Sequence, residues 1–440
     1  MKQSYKASKH FSLLWLLTTV ICIISCRVDP ISDPNNPSPG SITQNATLGE
    51  IQNLVDGTES GMRNDMGFYF DDVGVIGREF YRHSTSDPRF TSDLLGKANA
   101  VLDNNTFYIT NPFAASYRVI KNTNILIPAL QNTAAPITDD QRRAGIAYAK
   151  TIQAYQLLLV FNLTYENGIR VDVADPNNLG PFLSKDESLN AIQELLNTAD
   201  TDLKNNSTAF PFNSSIFGDT ASVFSKFNRA LAARVAVYHE DWALANTALT
   251  ESFFNLNGDL TTGAYYLYST AGGDQLNPQY FPLNANGEAR VVQVNIVPEA
   301  EAGDTRVTAK TSKRTDSASQ DGLNSLYDFY VYQTNVAPIP IIRNEELILL
   351  YAEVQAQLNN PVEAVKAIDI IRNAASLADY SGATDLNSLI TEILKQRRYS
   401  LYGEGHRWID LRRYDRLNEL PIDRTGDDVW VQFPRPATEQ

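Results

Sequence analysis

Apolar residues recur three and four positions apart through several long stretches of this chain, and those stretches follow one another closely. Leu386, Leu389, Ile390, Ile393 and Leu394 form one such stripe, with Asp385 placed to cap it and the helix running on into Lys395–Tyr414. Thr138-Asp139-Asp140-Gln141 reads as a capping box opening a long helix through Ala144–Leu163 that ends near Gly168. Residues 187–204 are amphipathic, and 223–252 read as two helices joined at His239–Asp241, with Asp241 capping the second. Asn344-Glu345-Glu346 opens a helix carrying Leu347, Leu350, Tyr351, Val354 and Leu358. Asn360-Pro361-Val362-Glu363 opens the next, with Pro at its first position and Glu at its third.

Short connections between consecutive helices force antiparallel pairs, and Ala352, Ala356, Ala364 and Ala367 are small enough to let such pairs approach closely. The pattern predicts a mainly α protein built from tetratricopeptide-type helix pairs, although no consensus repeat is readable. Two regions break it. Residues 64–112 and 255–340 are rich in Gly, Asn, Asp and aromatics and read as long irregular loops, with a strand suggested by alternation over Ala289–Val297. Long loops on a rigid frame are where function tends to sit.

The N-terminus differs from the rest. Residues 1–25 carry Lys2, Lys6 and Lys9 and no acid, then an apolar stretch Phe11–Ile24, which is a signal-peptide pattern. It ends Ile23-Ile24-Ser25-Cys26, which resembles a bacterial lipobox, so Cys26 is the expected lipid-attachment residue; an ordinary cleaved signal or an uncleaved anchor are the alternatives. Residues 26–41, with four prolines, read as a flexible tether, and 42–440 as a single helical domain. Cys22 lies in the leader, so cleavage leaves no partner for Cys26 and excludes disulfides from the folded part. The chain of 440 residues carries a formal charge of −14, which becomes −17 once the three leader lysines are gone. Such acidity argues against nucleic acid and against adsorption to anionic phospholipid, so membrane attachment falls to the acyl chains.

Candidate chemistry is sparse. His83, His239 and His406 lie in no zinc spacing, and no metalloprotease, nucleophile-elbow, phosphate-loop or dinucleotide motif is present. Asp71-Asp72 and Glu299/Glu301 are the visible acidic clusters, but neighbours in sequence do not by themselves converge on one bond. No loop has calcium-motif spacing. The residues therefore read as a binding protein without metal or cofactor.

The most specific stretch is KQRRYSLYGEGHRWIDLRRY, Lys395–Tyr414, in which Arg397, Arg398, Arg407, Arg412 and Arg413 sit among Glu404, Asp410 and Asp415 around Trp408 and a Gly403/Gly405 break. That density of opposite charge reads as a paired network locking two helices. The stretch resembles the C-terminal signature of the SusD/RagB family of outer-membrane nutrient-binding lipoproteins: Arg397, Arg398, Leu401, Glu404, Gly405, Arg407, Asp410 and Leu411 match it, while Ser400 stands where the family usually has Glu. The loss of that Glu predicts a neutral hydrogen bond in place of an ion pair. The likeness extends over most of residues 113–420, through the helix after Arg142, the pair at 224–252 and the pair at 340–375.

What the resemblance implies is a SusD-like helical fold that binds an oligosaccharide or polysaccharide without changing it. It also implies a lipid-anchored, cell-surface position in the outer membrane and a SusC-like TonB-dependent transporter as partner. Peptide binding and an all-helical glycoside hydrolase are the alternatives. Sugar C–H faces stack on aromatic rings while Asp, Asn and Arg take the hydroxyls. Trp242 and Trp408 fall on helices, so stacking would rest on Tyr and Phe. The candidates are Phe68, Tyr69, Asp71, Arg78, Tyr81, Arg89, Phe90, Phe107 and Tyr108 in the first loop region, and Tyr265, Tyr266, Tyr268 and Tyr280 in the second. For each ring, packing within its loop is the competing role. In the family such loops precede the long helix that here is expected to begin near Ala115.

Overall fold

Side-chain caps start the helices where the periodicity places them. In the computed structural model, which describes residues 39–439, Thr138 and Gln141 form a reciprocal capping box at the head of helix α5 (Asp139–Thr164). Ser184 and Glu187 do the same for α6 (Lys185–Leu203), and Asp241 caps α8 (Trp242–Glu251) after α7 (Ala221–Tyr238). Asp385 caps α12 (Leu386–Ser400) through the Ser388 amide at 3.1 Å. One expected box is absent. α11 (Pro361–Ala374) does begin with its proline, but the Asn360 amide donates to Gln355 and Glu363 accepts from Tyr351, so neither caps.

The expected leader 1–25, Cys26 and the tether through residue 38 lie outside the described residues. Residues 39–41, read as tether, already belong to α1 (Pro39–Asn45). From Thr43 onward the chain forms one compact unit. Within it α2 (Leu48–Gly61) and α4 (Phe107–Asn132) pack together, α4 lies on α5, α5 on α6, α6 on α7 and α7 on α8. α10 (Asn344–Gln357) closes the series against α8, α11 and α12. This is the serial helix packing expected of a mainly α, SusD-like frame. Gly168 makes the exit from α5: at φ +67° a Cβ there would sit 1.7 Å from the Leu183 carbonyl oxygen, so only glycine fits.

The region 64–112 is more ordered than its composition suggests. It holds α3 (Met66–Ile76), strand β1 (Phe80–Ser84) and the start of α4, which begins at Phe107 rather than near Ala115. α3 escapes periodicity because it is buried nearly all round, Asp71 and Asp72 included, and because Gly74 leaves room for the Phe80 ring. Pro112 disguises the head of α4. Region 255–340 carries β2 (Gly263–Tyr266), β3 (Glu288–Val292), α9 (Thr305–Lys310), β4 (Thr311–Gln320), β5 (Leu323–Phe329) and β6 (Ile339–Arg343). β1, β3, β5 and β4 form an antiparallel sheet in that order, and β2 pairs with β6. The strand expected over Ala289–Val297 ends five residues early, at Val292.

The C-terminal signature closes the frame through buried ion pairs. Asp410, on α13 (Arg407–Arg413), accepts from Arg397 of α12 at 2.7 Å and from Arg413 at 3.1 Å, while Arg413 also reaches Glu353 of α10 at 2.8 Å. Burial works against the Asp410 charge, but the two guanidiniums outweigh it and hold the carboxyl below its usual range. Arg343 adds Glu404 at 2.8 Å. Arg412 uses main-chain oxygens instead, of Asn162 and Val431, and lies over the Trp408 and Tyr165 rings. Trp408 is fully buried, its indole N–H donating to the Trp430 carbonyl at 2.7 Å. Removing one partner of such a buried pair costs about 3–5 kcal/mol. Ser400 accepts from the Arg306 guanidinium at 3.0 Å, so no ion pair forms at this position but the bond is charge-assisted rather than the neutral one expected. Asp415 differs from expectation: it turns the chain at φ 52° and makes no ion pair among the described residues. Gly403 and Gly405 both take positive φ, and a Cβ on Gly403 would strike Phe329 at 2.5 Å.

Behind this turn Glu79 accepts from the Gly403 amide at 3.1 Å. Burial pushes its carboxyl up to about 8, against the Gly403 bond and Arg407, which favour the charged form. The folded protein thus keeps a proton that the unfolded chain releases near pH 4.5, so this contribution to stability is complete below that pH and is lost as pH rises through about 8. Glu79→Gln keeps the acceptor and removes the titration. Chemical denaturation across that window should give a flatter stability profile for the variant than for the wild type; parallel profiles would show that Glu79 is charged in the folded protein.

Candidate ligand-binding cleft

The antiparallel pairing of β1 with β3 puts Arg82 directly opposite Arg290. Like charges in that position repel, and the structure answers with Asp71 of α3. Both oxygens of Asp71 accept from Arg290, at 2.6 and 2.8 Å, and one lies 3.6 Å from Arg82 Nε. Arg82 also donates to Glu288 at 2.6 Å. Burial opposes the Glu288 charge, but bonds from Ser84, Arg82 and Ser86 hold its carboxyl at about 2. Phe281 then covers the pair: both guanidiniums lie against its ring, at 4.6 Å for Arg82 and 4.7 Å for Arg290.

Above this floor is an open cleft of about 550 Å³. Its walls are Phe68, Phe90 and Phe281, and its rim carries Arg63, Asn64, Asp65, Arg118 and Gln275. Phe68 and Phe90 are parallel with centroids 6.5 Å apart, and Phe107 braces both from behind at 5.3 and 5.0 Å. Phe68 and Phe281 are only half-buried, leaving ring faces open. The arrangement offers apolar faces beside fixed hydrogen-bonding groups, the combination that grips a polyhydroxylated molecule. The carboxylates at the cleft are spoken for, Asp71 by Arg290 and Asp65 by Arg118 at 3.0 Å, so neither stands free beside a partner acid.

The predicted residues divide by direction. Phe68, Asp71 and Phe90 line the cleft, with Phe107 behind them. Arg89 is exposed, lies over Phe107 at 4.8 Å and pairs with Asp87 at 2.6 Å. Tyr69, Arg78, Tyr81 and Tyr108 face the interior instead. Tyr69 accepts from Asn162, Arg78 donates to the carbonyls of Ile76, Pro421 and Asp428, and Tyr108 donates to Asp93. Buried in this way they leave no face for a ligand. Asp72 departs from its neighbour: fully buried with neither oxygen bonded, its carboxyl is driven well above its usual range by burial and then by Asp71.

In the second region Tyr266 is fully buried and shares a hydrogen bond with Tyr155 at 2.7 Å, and Tyr268 is buried beside Arg63. Tyr265 is half-buried and lines a separate cavity of about 610 Å³ with Arg306, Lys310, Tyr332 and Arg343. Tyr280 is half-buried outside the cleft lining; its neighbour Phe281 takes the position. Sequence reasoning missed Phe281, Arg82 and Arg290. The signal for the arginines was an Arg inside the apolar runs FYRHS and EARVV, which requires a buried counter-charge.

The SusD family model matches residues 307–436. The SusD-like protein P38 of Formosa agariphila is 30% identical over 132 residues, 25% of this chain, so the match spans about a quarter, 26%, of that relative. Among solved structures, a SusD superfamily protein from Bacteroides vulgatus shares the fold with a TM-score of 0.68 at 16% identity, over 89% of this chain and 96% of its own. Surface glycan-binding protein A from Bacteroides thetaiotaomicron, solved in complex with laminarihexaose, gives 0.68 at 15% identity over 89% and 97%. Residues 307–436 thus carry the SusD family's sequence pattern, and the described chain shares the fold of SusD superfamily structures. No helix among the described residues is long and apolar enough to cross a membrane.

The Asp71 clamp makes a direct prediction. Asp71→Leu alone should destabilise the protein by about 3–5 kcal/mol, because two buried guanidiniums lose their shared anion. Adding Arg290→Met should restore part of that loss, and additive losses in denaturant titrations would mean the two residues are not coupled.

Proposed function

We propose that this protein is a lipid-anchored glycan-binding protein of the outer membrane, which captures an oligosaccharide and hands it to a SusC-like TonB-dependent transporter. One observation carries the reading: three phenylalanine rings and a fixed Arg–Asp–Arg floor face a single open cleft. The family fold supports it, since a glycan-binding protein of this fold is solved with a bound laminarihexaose. Phe68 and Phe281 serve as the stacking faces, Phe90 and Phe107 brace Phe68, Arg82 and Arg290 support Phe281, and the rim arginines and Gln275 take hydroxyls. The protein binds rather than cleaves, consistent with cleft carboxylates committed to ion pairs. Acylation at Cys26 after removal of 1–25, followed by a proline-rich tether, holds the body at the membrane; this rests on the Ile-Ile-Ser-Cys sequence. The transporter is the partner that SusD/RagB membership implies.

The test uses residues 27–440 and a panel of neutral and charged polysaccharides in affinity gels, followed by calorimetry on those retained. Phe68→Ala and Phe281→Ala should each weaken binding about tenfold by removing one stacking face, with the circular dichroism spectrum kept. Retention of no glycan, or release of shorter products during incubation, overturns the reading. In cells, Cys26→Ser should move the protein from the membrane to the soluble fraction; retention in the membrane would exclude acylation at this residue.

A further inference from the structure

A third cavity, of about 410 Å³, lies against the C-terminal signature and shares no lining residue with the aromatic cleft. Four cations border it: Lys395 and Arg398 of α12, Arg407 at the head of α13, and Arg416 beyond it. Three acids share the lining, and each is engaged. Asp410 is held by Arg397 and Arg413, Glu299 accepts from Arg398 at 2.5 Å, and Glu419 lies 3.7 Å from Arg416. Lys395 pairs with Glu301 at 2.8 Å.

Arg407 is the exception. Its Nε donates to the Gly77 carbonyl at 3.1 Å, and no carboxylate among the described residues lies within 4 Å of its guanidinium. Neither Nη atom has a hydrogen-bond partner among the described residues, and neither is sealed from the cavity. A guanidinium withdrawn from bulk water without a counter-charge is costly, and its planar fork is shaped for two oxygens of one anion. The acids that act on Arg407 from a distance are Glu79 and Glu299, and Glu299 is already paired with Arg398. Burial and then the Arg398 charge push Arg407 down to about 10, and Glu79, the nearest acid by effect, is itself raised to about 8. Arg398 lines the same space, with its Nε buried and unpartnered and one Nη on Glu299. Leu394, Leu411 and Pro421 complete the lining with apolar surface.

We propose that this cavity binds a small oxyanion, a carboxylate, sulfate or phosphate group, gripped by both Nη atoms of Arg407 and flanked by Arg398 and Lys395. The anion relieves the repulsion between the two guanidiniums and ties the Asn295–Glu299 loop to α12 and α13. The apolar wall gives space for a short organic body, so the group can be inorganic or the end of a small organic acid. The site is independent of glycan binding in the aromatic cleft.

Isothermal titration of residues 27–440 with sodium sulfate, sodium phosphate and sodium acetate, each against sodium chloride as control, tests this. Saturable binding of one equivalent is expected, with a rise in melting temperature. Preference for acetate over the inorganic ions identifies an organic acid, and the reverse an inorganic anion. Arg407→Gln should weaken binding about tenfold or more, the loss of charge-assisted hydrogen bonds. Arg416→Gln, whose guanidinium otherwise bonds only the Thr391 and Asn387 side chains and sits near Glu419 at the rim, should weaken it several-fold without disturbing the fold. The proposal is overturned if the three anions behave as chloride does, or if Arg416→Gln, and Arg407→Gln where it folds, bind them with wild-type affinity.

Discussion

The helical frame depends on Asp410 standing, out of water, between Arg397 and Arg413. That carboxylate joins α12 to α13, and Arg413 carries the link on to Glu353 of α10. Attraction of this kind has direction and range that apolar packing lacks, so it fixes how three helices meet rather than merely that they meet. The glycines on either side of Glu404 exist to let the chain double back within reach of it, with φ values of 77° and 83°. Trp408 is fully buried beside this turn, against Arg412 and Phe433.

The same device recurs at the cleft, with a different outcome. Asp71 stands between Arg82 and Arg290 much as Asp410 stands between its arginines, but here one side of the arrangement faces outward. In the signature the network is buried throughout, with Tyr238 and Tyr414 against Arg413; at the cleft it is covered by Phe281, which is half-exposed. The result is a fixed charged floor under an open cleft lined by rings. Scaffold and site are thus built from one kind of interaction, distinguished by what covers it.

Much of the frame was readable from the sequence because its helices are amphipathic and capped in the usual way. Thr138, Asp241 and Asp385 cap where the pattern places them, and the serial packing follows from the short connections. The cleft was readable only in part. Phe68, Asp71 and Phe90 belong to it, but Tyr69, Tyr81 and Tyr266 turn inward, because composition counts rings and does not give their direction. α3 was hidden by burial on all sides, which erases the stripe that marks a helix. Arg290 was hidden by distance: its partner Asp71 is 219 residues away, and no local pattern records such a pairing.

That separation has an outcome for how the protein matures. The strand carrying Arg82 can find its mate only after some two hundred further residues, with four long helices among them, have left the ribosome, and closing so wide a loop is slow. Until then the phenylalanines of the first region have only part of their floor, and Asp71 has Arg82 nearby but lacks the two-oxygen bond to Arg290. The cleft is therefore completed only after the long helices between its two strands have been made, and a chain interrupted before β3 would carry Phe68 and Phe90 without Arg290 beneath them.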